Sequence, residues 1–279
     1  MKGISEYTLN YYRGKMSGGL LNLDLLSSAS KEDYLSLENI LIQPFGNRDE
    51  SNLIKKIASS KETLSSYCSV KFGMQLRNRK LYTSDVLQDP SIDEMTKYHR
   101  KCLTGKDVVP YSSNYNNLYC YFNRDAKCGG CWDETIHNAT EKVLVRQVGS
   151  VPICEIDING YAILNSVFMI VGNTLSPFYV MAIINSKLIR FYWHNVFEDR
   201  KITFPKIKGS YLEKIPFTRP LNNIIEELSK SIYIKKQENS NTTIEEQEID
   251  ELVYKLYGLT YDEVKIVDPQ TPITREEYE

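Results

Sequence analysis

The chain has 279 residues, 42% of them hydrophobic and 25% charged, with a formal net charge of −2, a composition that excludes global disorder and fibrous architecture. Its longest apolar run, Phe178 to Ile184, is far short of the ~20 residues that span a bilayer, and MKGISEYTLNYYRGK lacks the apolar core of a secretory signal. Six cysteines are too sparse for a disulfide scaffold, so free thiols, no membrane association and a reducing cytoplasm are expected.

The first fifty residues, with Gly14, Gly18, Gly19, the serine-rich Ser27–Ser30 and Pro44-Phe45-Gly46, read as a connecting arm holding one or two short strands. Leu53, Ile54, Ile57 and Leu64 have helical spacing and predict a short amphipathic helix from Ser51 to Leu64. Tyr67 to Tyr82 reads as a strand, a polar Arg/Asn turn and a second strand. Residues 85–175 alternate short apolar runs such as VLVRQVG and YAILNSVFMIVG with turn residues, and Asn159-Gly160 is a tight-turn signal.

The character changes at Ser176, an N-cap followed by Pro177 in the first helical position. Val180, Ile183, Ile184, Leu188, Phe191 and Tyr192 then keep a helical period to Asn195. A basic, strand-poor connection lies between Pro205 and Pro216, and a second helix is predicted from Pro220 to Gln237, with Ile224, Ile225, Leu228 and Ile232 inward. The last strong helix begins at Thr243, with Glu246 completing a capping box, Ile249, Leu252, Val253 and Leu256 buried, and Gly258 at its close. Thr260 and Glu263 repeat the box. The fold class is therefore α+β: a twisted, mostly antiparallel sheet followed by a C-terminal helical region.

Charge is unevenly spread. From Glu238 onward there are 12 acids against 3 bases, which leaves residues 1–237 with a net charge of +7. A basic body suits a polyanion partner. Its bases cluster at Lys71 to Lys80, at Arg100, Lys101 and Lys106, and at Arg200, Lys201, Lys206 and Lys208, interleaved with polar and aromatic residues.

The signatures of several enzyme classes are missing: no Gly-rich phosphate loop, no GxSxG, no HExxH, and no Asn-Pro-Pro-aromatic motif to grip a flipped base. Asp107, Asp125 and Lys127 offer a minimal set for a Mg²⁺-dependent nuclease, the enzyme alternative. Cys128-Gly-Gly-Cys131, with Cys120 and His137, places four candidate zinc ligands within 18 residues. The set is one CxxC pair with irregular flanking spacings, which fits better with Cys120 and Cys131 as small core residues and His137 as a surface or capping residue. Zinc is not expected there.

Three runs carry a resemblance: LYCYFNRDAKCGGCWDETIHNATEKVLVRQVG, SPFYVMAIINSKLIRFYWHNVFEDRKITFPKIKGSYLEKIPF and IDELVYKLYGLTYDEVKIV. Together, over Tyr67 to Val267, they resemble the TaqI-like C-terminal specificity domain of type II and IIG restriction–modification adenine methyltransferases. The distinctive pieces are Ile184 to Ile189, Phe204-Pro205-Lys206-Ile207-Lys208 leading to Ile215-Pro216, Lys142 to Gln147, and Gly73-Met74-Gln75. The family's methylation motifs lie N-terminal to this region, and the 66 residues before it here contain none. The resemblance thus implies a recognition domain or specificity subunit that binds duplex DNA and positions an adenine for a methyltransferase outside this chain. S-adenosylmethionine would belong to that partner; the alternative to DNA reading is a specificity subunit that acts mainly by docking the methyltransferase through the helices at 220–257, and the two are compatible.

The expected organisation is an arm and connecting helix over 1–66, a target-recognition region over 67–219 and a helical region over 220–279. Arginine reads guanine and Gln or Asn reads adenine, so Gln75, Arg77, Asn78 and Arg79 are the base-reading candidates. Lys80, Lys101, Lys106, Arg146, Arg200, Lys201, Lys206 and Lys208 are the phosphate candidates. No residue is assigned a catalytic or metal-binding role.

Overall fold

β-Branched and aromatic residues concentrate between residues 69 and 171, and helix formers after 176; the computed structural model, which describes residues 8–18, 20–30, 48–59, 62–172, 174–197 and 204–279, divides the same way. A hairpin of β1 (Thr8–Ser17) and β2 (Leu20–Ser30) precedes helix α1 (Arg48–Ala58). Strands β3 (Ser69–Phe72), β4 (Val86–Gln88), β5 (His99–Leu103), β6 (Val108–Val109), β7 (Ser112–Ser113) and β8 (Leu118–Tyr121) follow. After the short helix α2 (Glu134–Asn138) come β9 (Lys142–Arg146), β10 (Cys154–Asp157), β11 (Ala162–Ile163) and β12 (Val167–Val171). The remainder is helical: α3 (Pro177–Asn185), α4 (Lys187–Val196), α5 (Gly209–Leu212), α6 (Ile224–Gln237), α7 (Thr243–Leu256), α8 (Tyr261–Val267) and α9 (Arg275–Tyr278).

Two four-stranded sheets carry the fold. The first has the order β10-β9-β12-β3 and is antiparallel throughout; the second has the order β11-β5-β8-β4, with only the β11/β5 pair parallel. Strand alternation gives the first sheet two apolar faces. Val143, Val145, Ile156 and Ile170 pack on the helices, in a cluster that runs from Leu53 in α1 to Tyr278 in α9. Leu144, Val167 and Met169 face the other way and meet Leu103, Val108 and Ile163, which ties the two sheets together. Cys102, Cys120, Trp132, Ala162 and Leu164 form a smaller core with the second sheet. The α+β expectation is therefore met. Among the described residues no helix is long and apolar enough to cross a membrane.

The observed elements depart from the sequence expectations where distant partners intervene. The helix expected over 177–195 is two helices: Ser186 (ψ 152°) breaks it and caps α4 by accepting the Ile189 N–H. Asp250, on α7, accepts the Lys187 N–H at 2.8 Å, while the Asn185 amide bonds both backbone groups of Cys154 on the edge strand β10. The expected strand–turn–strand over Tyr67–Tyr82 is not a hairpin, because β3 pairs with β12 and the chain beyond it turns around Asn78. Helix α1 stops at Ala58, and Leu64 starts a separate 3-10 turn. Helix α6 starts at Ile224 rather than Pro220, since the Asn222 side chain takes the Ile224 N–H; Ile224 itself is exposed. In α7 Thr243 is the first helical residue rather than the cap, and the Thr242 hydroxyl donates to Glu246. The Thr260/Glu263 box is present as expected.

Beneath the first sheet lies a buried charged cluster. Lys142 and Asp157, opposite one another on β9 and β10, form an ion pair with no exposed side-chain surface. Glu155, on the same face of β10 as Asp157, is fully buried, with the Ser113 hydroxyl beside its carboxylate. Burial, reinforced by the Asp157 charge, pushes the Glu155 carboxyl up to about 8. The unfolded value is about 4.3, so the folded state holds the proton longer, and the Glu155 contribution to stability declines as pH rises from about 4 to about 8 and is level beyond both limits. Glu155→Gln is expected to remove that slope and add about 2 kcal/mol to the unfolding free energy at pH 8, as read from urea titrations at pH 5 and pH 8. An unchanged slope would place the titrating group elsewhere.

Candidate nucleic-acid interface

The Gly-rich segments build one end of the site. Cys128 N–H donates to the Gln75 carbonyl, Gln75 N–H to Gly129, and Cys131 N–H to Phe72, so residues 72–75 and 128–131 are clasped backbone to backbone. Gly130 has φ +70°, and a Cβ there would lie 2.1 Å from the Gly73 carbonyl oxygen. The CGGC segment is thus a backbone clasp. It lifts Gln75 to the surface and sets the start of the 75–79 loop.

The four candidate zinc ligands do not converge. Cys120 is buried on β8, Cys128 is exposed and Cys131 is half-buried. His137 is buried rather than at the surface, and both ring nitrogens are engaged: Nε2 donates to the Cys131 carbonyl at 2.9 Å and Nδ1 accepts the Ile163 N–H at 3.0 Å. Burial pushes its imidazolium down to about 4. Among the described residues no three His, Cys, Asp or Glu side chains are grouped to hold a metal ion. Asp107 bonds the Thr104 N–H and hydroxyl at 2.6 and 2.8 Å and so shapes a turn, whereas Lys127 lines a different depression with Lys97, Arg100, Phe122 and Trp132. His99 is also committed, to Thr96 and the Ser84 carbonyl.

Two neighbouring depressions, of about 400 and 1060 Å³, share Arg79 and Asn165. The smaller is walled by the 75–79 loop and Cys128, and the larger by the Thr104–Asp107 turn, Asn114 to Asn116, Arg146, Val148 and Phe204. Each cation arrives for a local reason. Arg146 ends β9 on the same face as Lys142 and Leu144. Gly105 lets it pass, since a Cβ there would lie 3.2 Å from the Arg146 Cγ and 2.7 Å from the Ser166 carbonyl. Lys106 projects from the Asp107-stabilised turn, and Arg79 from the Asn78 turn. Arg79, Lys106 and Arg146 have no ion-pair partner among the described residues, and the buried Nε of Arg146 has no hydrogen-bond partner. The side-chain amides of Asn114, Asn116 and Asn165 are likewise uncommitted.

The remaining candidates distribute around this groove. Gln75, Asn78 and Lys80 are exposed on its loop, with the Asn78 carboxamide oxygen taken by the Lys80 N–H. Arg77 has its fork occupied: Nε and an Nη donate to Asp85 at 3.0 and 2.6 Å, and the guanidinium lies 4.0 Å from the Tyr82 ring centroid. Lys101 sits at the rim, 5.6 Å from the Tyr115 ring. Lys206 is exposed on a backbone bridge to Val148, and Lys208 bonds the Tyr211 hydroxyl. Arg200 and Lys201 lie outside the described residues. The groove is also lined by Gln88, Asn114, Asn116, Asn165 and Phe204, none of which the sequence singled out; the Asn114-Tyr-Asn-Asn117 run was the one available signal.

Residues 100–217 match the family described as the TaqI-like C-terminal specificity domain. No match is found among curated proteins. Among solved structures, the type IIL restriction–modification enzyme MmeI in complex with DNA superposes at TM-score 0.52 and 12% identity, over 76% of this chain and 36% of that one. The HsdS subunit from Thermoanaerobacter tengcongensis gives TM-score 0.34 and 9% identity over 75% of this chain and 51% of that one. The MmeI likeness is one of fold, and this chain spans about a third of that protein's length.

Proposed function

We propose, with residues 100–217 carrying a TaqI-like C-terminal specificity domain as the premise, that this chain recognises duplex DNA for a restriction–modification system. The observation that supports this most is the groove in which three cations without acidic partners meet three uncommitted amides. Cations hold phosphates at any sequence, while amides and arginine forks read base edges, and the groove supplies both.

Arg79, Gln75, Asn114, Asn116 and Asn165 read bases in this assignment; Lys80, Lys101, Lys106, Arg146, Lys206 and Lys208 hold phosphates, and Arg200 and Lys201 remain phosphate candidates on sequence alone. Arg77 supports the loop through Asp85. The target adenine is presented to a methyltransferase domain or subunit outside this chain, which holds its own S-adenosylmethionine. Base flipping requires the duplex to be gripped apart from the catalytic pocket, and a separate recognition domain meets that need.

The test uses a duplex enriched by this chain from a random pool. Arg79→Ala is expected to cost about 1–3 kcal/mol on the enriched duplex and little on random duplex, while Lys106→Ala weakens both equally. Equal losses for both variants on both duplexes would remove Arg79 from base reading.

A further inference from the structure

Phe204 joins high exposure to a backbone conformation that bulky side chains rarely adopt. It is 74% exposed, and its backbone has φ +55°, although it is bulky and precedes Pro205. The left-handed region is disfavoured for a large side chain, and a following proline restricts the backbone further. An exposed phenyl gains little from burial to offset that conformation. Its continuation is nevertheless fixed: Gly149 N–H bonds the Pro205 carbonyl, Ile207 N–H bonds Gln147, Lys206 bridges to Val148, and Ile207 is buried. The ring stands on this anchored segment at the wall of the groove that Arg79, Lys106 and Arg146 also line.

We propose that Phe204 is a wedge that inserts between stacked base pairs of the bound duplex and so helps select sites with a deformable step. This rests on the DNA reading above. A rigid, apolar, projecting ring among cations fits a polyanion with an aromatic interior better than it fits an apolar protein surface. Insertion of an apolar side chain unstacks a step and bends the duplex, at a cost that depends on sequence. Strain held at a projecting residue is a sign of such a device.

The experiment places 2-aminopurine at successive positions in the enriched duplex and measures its fluorescence and affinity with the full chain. Wild type is expected to brighten the probe at one step. Phe204→Ala should lose that signal and bind about tenfold more weakly, and Phe204→Leu should retain much of both. A mismatch at the same step, already unstacked, should restore part of the Phe204→Ala affinity. Phe204→Gly should melt at a higher temperature than wild type, because glycine accepts the left-handed backbone, yet bind as weakly as Phe204→Ala. Wild-type binding with Phe204→Ala unchanged in affinity and fluorescence overturns the wedge alone. Unchanged DNA binding with lost capture of the cognate methyltransferase assigns the ring to a protein contact instead, and also overturns it. No wild-type binding to any duplex overturns the DNA reading itself.

Discussion

Lys142→Met is expected to destabilise the protein by about 3–5 kcal/mol, seen as a lower urea midpoint. The ammonium has no exposed surface and donates to Asp157 and to the carbonyls of His137 and Ala139, at 2.7 and 2.9 Å for the latter two. Burial pulls its pKa down, and the Asp157 charge opposes that pull. Removing the cation leaves Asp157 buried beside Glu155 with no counter-charge, although Asp157 still accepts the Asn159 and Tyr161 N–H groups. Adding Asp157→Asn to Lys142→Met should recover part of the loss, since it removes the residual charge but sets the new amide NH2 against one of those two N–H groups. Equal stability of the single and double variants would show that the pair is not the source. Lys142 opens the strand that Arg146 ends, so the single variant should also loosen the groove.

Gly130→Ala is the second large effect, expected to cost about 2–5 kcal/mol through left-handed strain and overpacking together. The new methyl meets the Gly73 backbone rather than a side chain that could rotate away. Relief requires opening the clasp that holds Gln75, so loss of stability and loss of sequence discrimination should appear together. Cys128→Ser and Cys131→Ser keep the backbone bonds and should leave both properties close to wild type. A Gly130→Ala variant that melts with wild type would contradict the clasp.

The parts legible in the sequence were those set by local chemistry. The apolar period of α7, the Thr260/Glu263 box and the short apolar run at Val143–Val145 are properties of neighbouring residues, and they appear where expected. The break at Ser186 was hidden because the contacts that flank it are distant in sequence: Lys187 bonds Asp250, 63 positions on, and Asn185 bonds Cys154, 31 positions back. β3 was misread as half of a hairpin for the same reason, its partner β12 lying beyond residue 166.

The groove was half legible. Arg79, Lys106 and Arg146 stand out as cations, but only the fold separates Arg79, which is uncommitted, from Arg77, which Asp85 holds. Asn114 and Asn116 are marked only by their Asn-rich run and Asn165 by nothing, until the β7–β8 and β11–β12 connections bring them to one wall. The CGGC segment drew attention through its cysteines, whereas its glycines do the structural work.

The claim that this groove grips a DNA backbone is tested most directly by the salt dependence of duplex binding. Affinity should fall linearly on a log–log plot, with a slope of about −0.9 for every phosphate neutralised. Lys106→Ala combined with Arg146→Ala should flatten that slope by about two on enriched and random duplexes alike. A wild-type slope that persists unchanged in the double variant, with unchanged affinity, would contradict the account.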